Sequence, residues 1–266
     1  MVDNWQNKIE QYCELYNLPI QYLADTLYEP KVIPMIRGKS FEYTVITRLT
    51  QLLPANEWLI TKATSGEQAF HDTDVRLVHK RTGKPIRLEC KLAGKEGYRH
   101  HSDGHSEIRV KCMRSRTLGD AKVKELAPKL NISKEALSSH RDQYVSADFD
   151  VVVTTIGNAF YRTDKGSHLY MWSPTDEEIS FLVALGGSPD SLKDFAFNSI
   201  YIAITKDLIA HPSNNIVCTR KSCNNKTNCG FIPNYPIIKF DSKSHQPING
   251  WKSIDQAQAV FKSIIS

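Results

Sequence analysis

The stretch "PIRLECKLAG", residues 85–94, alternates apolar and polar side chains, with Ile86, Leu88, Cys90 and Leu92 at every second position. Successive side chains of a β-strand point to opposite faces, so these four share one face while Arg87, Glu89 and Lys91 share the other. A carboxylate and an ammonium two residues apart on one face mean either that the face is wet or that the pair serves chemistry. As a three-residue string the pair reads as ordinary solvent-facing charge, worth little to stability. Its meaning depends on the order of elements around it.

Upstream, "EWLITKAT" (57–64) and "DVRLVHK" (74–80) also read as strands, and "RTGK" (81–84) makes a tight turn around Gly83 into the quoted strand. Before them, "GKSFEYTVITRLTQLL" (38–53) places Phe41, Val45, Ile46, Leu49, Leu52 and Leu53 at helical spacing, and Pro54 stops it. Two short amphipathic helices, over 4–16 and 20–27, precede it and are stopped by Pro19, Pro30 and Pro34. Downstream, "EIRVKCM" (107–113) reads as an extended segment outside the main sheet. "DAKVKELAPKL" (120–130) and "SKEALSSHRDQYV" (133–145) read as a helix pair, with Ser133 capping the second. They lead to "DFDVVVTTIG" (148–157), whose β-branched run suits a strand buried on both faces and parallel to the quoted one. Beyond it, "HLYMW" and "SIYIAIT" read as strands, "TDEEISFLVAL" and "SIDQAQAVFKSII" as helices, and 212–247 as loop-rich.

The expected architecture is therefore one α/β domain over 1–266, with a mixed central sheet flanked by helices. Its core spans 38–156, a helical extension covers 1–37, and 157–266 completes the sheet and supplies a lobe for DNA recognition or dimerisation. At 266 residues and 41% hydrophobic, the chain is neither disordered nor fibrous. No apolar run approaches the ~18 residues that span a bilayer, and the first residues lack a signal-peptide pattern, so a cytoplasmic protein of a bacterium or archaeon is expected, with no membrane partner. Six cysteines in a chain this long read as thiols or metal ligands. The net charge of +5 is modest. Between Lys80 and Val145, however, basic residues outnumber acidic ones roughly two to one, which is either a nucleic-acid footprint or a solvated basic face.

With the second and third strands joined by their hairpin, Asp74 comes near Glu89 and Lys91. Two carboxylates, a backbone carbonyl such as that of Cys90 and waters suit a hard cation such as Mg²⁺, and Lys91 would hold or deprotonate a water beside a phosphate. Thr73-Asp74-Val75, the hairpin and Glu89-Cys90-Lys91 resemble the PD-(D/E)XK nuclease superfamily, and the helix carrying "GKSFE" resembles the first helix of its αβββαβ core, the restriction-endonuclease-like fold. The resemblance covers roughly 38–156 as topology and rests on a few motif residues. It implies Mg²⁺-dependent hydrolysis of DNA, with Asp74, Glu89 and the Cys90 carbonyl at the metal, Lys91 orienting water, and Glu42 as a supporting acid. Thr73 stands where the pattern has proline, and Asp72 competes with Asp74.

Together with the chain's size, the resemblance implies a type II restriction endonuclease. Two-fold matching of a palindrome in double-stranded DNA favours a homodimer. A repair or recombination nuclease of the same fold is the alternative enzyme. A DNA-binding regulator is the alternative from another class, because "ELAPKLNISKEALSSHRDQY" resembles a helix-turn-helix, although the same helices serve equally as the crossover. Candidate DNA contacts are His105, Arg109, Lys111, Arg114 and Arg116, in a segment that reads as a polar surface loop as readily as a groove-entering arm. Lys134 and Arg141 on the second helix join them. Cys218, Cys223 and Cys229, with His211 or His245 as fourth ligand, form a candidate Zn²⁺ site, though their spacing lacks a CxxC pair and scattered thiols are the plainer reading. "RGKS" (37–40) is not a phosphate loop, because Ile33 stands where its first glycine is required.

Overall fold

In a computed structural model, which describes residues 4–63 and 73–266, the alternation at 85–94 opens the longest strand of the chain. Helix α1 (Trp5–Leu15) starts at Asn4, whose side chain accepts from the Gln6 N–H, and α2 (Leu23–Tyr28) follows. Helix α3 (Ile33–Leu52) begins earlier than its apolar spacing indicates. Pro34, expected to stop a helix, lies in its first turn. A missing N–H costs nothing there, because the first-turn amides have no partner within the helix.

The strands β1 (Trp58–Lys62), β2 (Val75–His79) and β3 (Pro85–His100) form an antiparallel meander, and Gly83 supplies the left-handed conformation that turns β2 into β3. Strand β4 (Ser106–Val110) returns along the far half of β3, so the segment expected outside the main sheet extends that sheet instead. The β3–β4 pairing breaks between Ala93 and Tyr98. Within this bulge a Cβ on Gly97 would lie 2.4 Å from the Gly94 carbonyl oxygen, so only glycine fits.

Helices α4 (Asp120–Leu130) and α5 (Lys134–Ser139) lead into β5 (Val151–Thr155), which runs parallel to β3 with Glu89 opposite Val152 and Lys91 opposite Thr154. Ser133 caps α5 as expected, accepting from the Ala136 N–H, but α5 is only six residues long. A small hairpin, β6 (Tyr161–Thr163) with β7 (Tyr170–Trp172), then α6 (Asp176–Ala184) and α7 (Leu192–Asn198) come next. Strand β8 (Ile200–Ile204) pairs antiparallel with β5. Strand β9 (Ile237–Phe240) pairs with β4, β10 (Lys252–Ser253) with β8, and α8 (Ala257–Ile265) closes the described chain. The central path runs β1-β2-β3-β5-β8-β10, mixed in direction.

Each sheet face has its own core. Phe41, Val45 and Leu49 of α3 and Phe261 of α8 cover Leu77, Ile86, Leu88, Val151 and Val153. On the other face Val152 packs among Tyr144, Phe149, Phe160, Phe181 and Trp251. Strand β5 is buried along its whole length, as its β-branched run requires. Among the described residues no helix is long and apolar enough to cross a membrane.

Leu88 is fully buried on β3, whereas Leu59 on β1 is half exposed. Leu88→Ala is expected to lose about 2–5 kcal/mol of stability and Leu59→Ala about 0.5 kcal/mol or less, read from urea unfolding midpoints.

Candidate active site

Strand β2 separates from β3 at Asp74. The Asp74 N–H still donates to the Leu88 carbonyl (3.1 Å), and its side-chain Oδ2 accepts from the Cys90 N–H (2.9 Å). The N–H and C=O of one strand residue point the same way, so the Cys90 carbonyl faces the same gap. The Cys90 side chain packs on the α3 face, as the alternation requires.

Glu89 and Lys91 share the opposite face, and that face is not wet. Glu89 is 3% exposed, and Lys91 Nζ lies 2.6 Å from Glu89 Oε1. Tyr144, on the segment between α5 and β5, closes the group. Its hydroxyl donates to Glu89 Oε1 (3.2 Å) and accepts from Lys91 Nζ (3.3 Å). Burial works against a charged Lys91, but the Glu89 carboxylate and then Tyr144 more than reverse this, so its pKa is raised and it is held as an ammonium.

Glu42 reaches the same end of the sheet from α3. Lys39 Nζ donates to its Oε1 (2.7 Å) and Lys62 Nζ to its Oε2 (2.8 Å), while Lys39 also lies 3.8 Å from Asp74 Oδ1. Burial disfavours the Glu42 carboxylate, yet the hydrogen bonds from Lys39 and Lys62 prevail and hold it below the usual carboxylate range. Asp74 behaves oppositely. Burial, then the nearby Glu89 and Glu42 carboxylates, push its carboxyl up to about 7 against the pull of the Cys90 amide and Lys91. Acids thus crowd one point with lysines around them. Asp72 lies outside the described residues.

This point opens onto a cleft of about 810 Å³. Arg37, Lys39, Lys91, Lys95, Arg109, Lys111 and Arg114 line it, and among the described residues Glu42 is its one acidic lining residue. Such a wall favours an anionic ligand. Another depression of similar size, about 740 Å³, lies along β8, β10 and α8, away from these groups.

The expected DNA contacts divide. Arg109 and Lys111 line the cleft, and Arg116 and Lys134 are exposed. Arg141 pairs with Asp120 (2.5 Å). His105 lies at the β3–β4 turn between Asp103 and Glu107, stacked on His101, and these two histidines with Glu107 could hold a metal ion. Arg114 lines the cleft as well, but its guanidinium is committed inward. It is buried, donates to Asp148 Oδ2 (2.6 Å) and to the Gln143 carbonyl (3.0 Å), and lies over the Tyr144 ring.

Cys218, Cys223 and Cys229 come together, with ligand atoms of the group within 4.8 Å of one another, and the cluster could hold a metal ion. Its fourth member is His140 at the end of α5. His211, the expected ligand, instead meets the Ser213 hydroxyl, and His245 is held in a turn closed on Asp241. Sequence reasoning missed Tyr144, Lys62 and His140, which reach their partners from distant segments without a shared motif. Lys39 was missed too, although its place three residues before Glu42 on a helix could have signalled it. Compared with protein families, curated proteins and solved structures, the chain matches none.

Removing one member of the Arg114–Asp148 pair leaves a buried charge behind. Arg114→Ala is expected to lose about 3–5 kcal/mol of stability in chemical denaturation, whereas Arg116→Ala should stay within about 0.5 kcal/mol of wild type.

Proposed function

We propose that the chain is a Mg²⁺-dependent DNA endonuclease using a PD-(D/E)XK mechanism, most specifically a homodimeric type II restriction enzyme. The observation that carries the reading is the meeting of Asp74, Glu89 and Lys91 at the strand end that opens onto the basic cleft. The donor set fits the cation. Asp74, Glu89 and the Cys90 carbonyl all offer oxygens, as a hard divalent ion prefers, and the repulsion from Glu89 and Glu42, which adds to burial in lifting the Asp74 pKa, is what a cation would relieve. What the cation supplies when bound is polarisation of a phosphoryl oxygen and acidification of a water.

The residues of the chain do the rest. Lys91, an ammonium fixed by Glu89 and Tyr144, donates a hydrogen bond to the attacking water or a phosphate oxygen and offsets charge as it develops. It acts as a donor and not as the base that the sequence alone leaves open. Glu42 keeps Lys39 and Lys62 at the mouth of the site, where they face the DNA backbone. Arg37, Lys95, Arg109 and Lys111 hold further phosphates along the cleft.

The test is incubation of plasmid DNA with the purified protein and Mg²⁺. Discrete fragments are expected, structure-dependent nicking would favour a repair or recombination nuclease, and no cleavage would overturn both. Lys91→Ala should lower the single-turnover cleavage rate by about a hundredfold or more with the fold intact by circular dichroism. Cleavage at the wild-type rate would remove Lys91 from the chemistry. Loss of activity in Asp72→Ala but not Asp74→Ala would reassign the metal ligand.

A further inference from the structure

We propose that His140, Cys218, Cys223 and Cys229 bind a structural zinc ion that fastens the C-terminal loop to the end of α5. The inference is independent of the nuclease reading. Three thiolates and an imidazole form a closed tetrahedral set of the kind that selects Zn²⁺ over oxygen-seeking cations. Cys218, Cys223 and His140 are buried, as a structural site without an open position requires.

The imidazole is prepared for the role. His140 Nδ1 lies 2.7 Å from the Ala136 carbonyl, which places the ring proton on Nδ1 and leaves the Nε2 lone pair free. The ring stacks on Phe231, with centroids 4.2 Å apart and planes 8° apart, so its direction is fixed. Nε2 lies 3.6 Å from Cys218 Sγ. A tetrahedral ion with ordinary Zn–S and Zn–N bonds separates such atoms by about 3.5 Å.

The surroundings need a cross-link and suit its charge. Between Asn215 and β9 the chain forms no helix and only an isolated bridge at Phe231. Its own apolar cluster there is small, built on Ala210, Cys218 and Cys223. A dication with three thiolates carries one net negative charge, and Arg220, Lys221 and Lys226 lie within the same loop. The Arg220 N–H points at Cys218 Sγ (3.5 Å), in the manner of an amide supporting a thiolate.

The fastened segment is the one that carries Tyr144. After His140, Asp142 pairs with Arg220 and accepts from Asn234 (2.7 Å), and Gln143 donates to the Ile232 carbonyl (2.9 Å). The Tyr144 carbonyl accepts from the Ile232 N–H (2.8 Å), while its hydroxyl meets Glu89 and Lys91. Zinc thereby positions Tyr144 from behind.

Elemental analysis of the full-length protein, purified without chelators from zinc-supplemented cells, should find about one zinc per chain. Cobalt replacing that zinc should show thiolate charge-transfer and tetrahedral ligand-field bands, a test on the wild-type chain that needs no variant. Cys223→Ser and His140→Ala should lose the metal, and His211→Ala and His105→Ala should keep it. Wild-type protein that holds no zinc and binds none on titration would overturn the proposal. So would a cobalt spectrum without thiolate bands, or loss of zinc in His105→Ala with retention in Cys223→Ser.

Discussion

The parallel pairing of β3 with β5 is the constraint on which the rest depends. Antiparallel neighbours can be joined by a tight turn, as β2 and β3 are at Gly83, but a parallel neighbour has to be reached by a crossover that returns the chain to the same end of the sheet. The segment from β4 to β5 supplies that passage through α4 and α5. The pairing also buries β3 in the sheet interior, so Glu89 and Lys91 become internal charges that each need a partner. The crossover brings the third member, because Tyr144 lies on its last stretch before β5.

Burying so many charges at one strand end is tolerable only because they answer one another. Glu42 has two lysines, and Glu89 has Lys91 and the Tyr144 hydroxyl. Behind Tyr144, Arg114 and Asp148 form a second buried pair that fixes the ring. Asp74 is the exception. It keeps the Cys90 amide, Lys39 at 3.8 Å and a hydrogen bond with Glu42, and burial, with the Glu89 and Glu42 carboxylates, still raises its pKa. Unbalanced negative charge at the mouth of a basic cleft is unfavourable for the resting protein, and it is the electrostatic condition under which cation binding is favoured.

What could be read from the sequence was what local periodicity encodes. Alternation fixed the faces of β3, the β-branched run marked β5, and helical spacing marked α3 and α8, because burial on one face writes a period into the chain itself. Pro34 misled because proline is as suited to the first turn of a helix as to the residue beyond its end. The β4 segment reads as lying outside the sheet because the edge it joins belongs to the far half of β3, past a bulge that alternation does not announce. Arg114 looked like its neighbours Arg109 and Arg116. Only the distant Asp148 and the Tyr144 ring make it internal.

The same distinction explains why one side-chain cluster was half legible and completed wrongly. Cys218, Cys223 and Cys229 are close in sequence, so their grouping could be guessed, and a nearby histidine was the natural fourth ligand. The histidine that joins them lies seventy-eight residues upstream from Cys218. It arrives there because α5 ends where the Phe231 strand bridge packs against the helix pair. The short run from His140 to Tyr144 therefore has soft sulfur and nitrogen donors at one end and hard carboxylate donors at the other. Donor softness keeps the two proposed ions apart in chemistry, while the run between them is held by hydrogen bonds linking Asp142, Gln143 and Tyr144 to residues 232–234. The Tyr144 carbonyl and hydroxyl tie the loop after Pro212 to the Glu89–Lys91 pair.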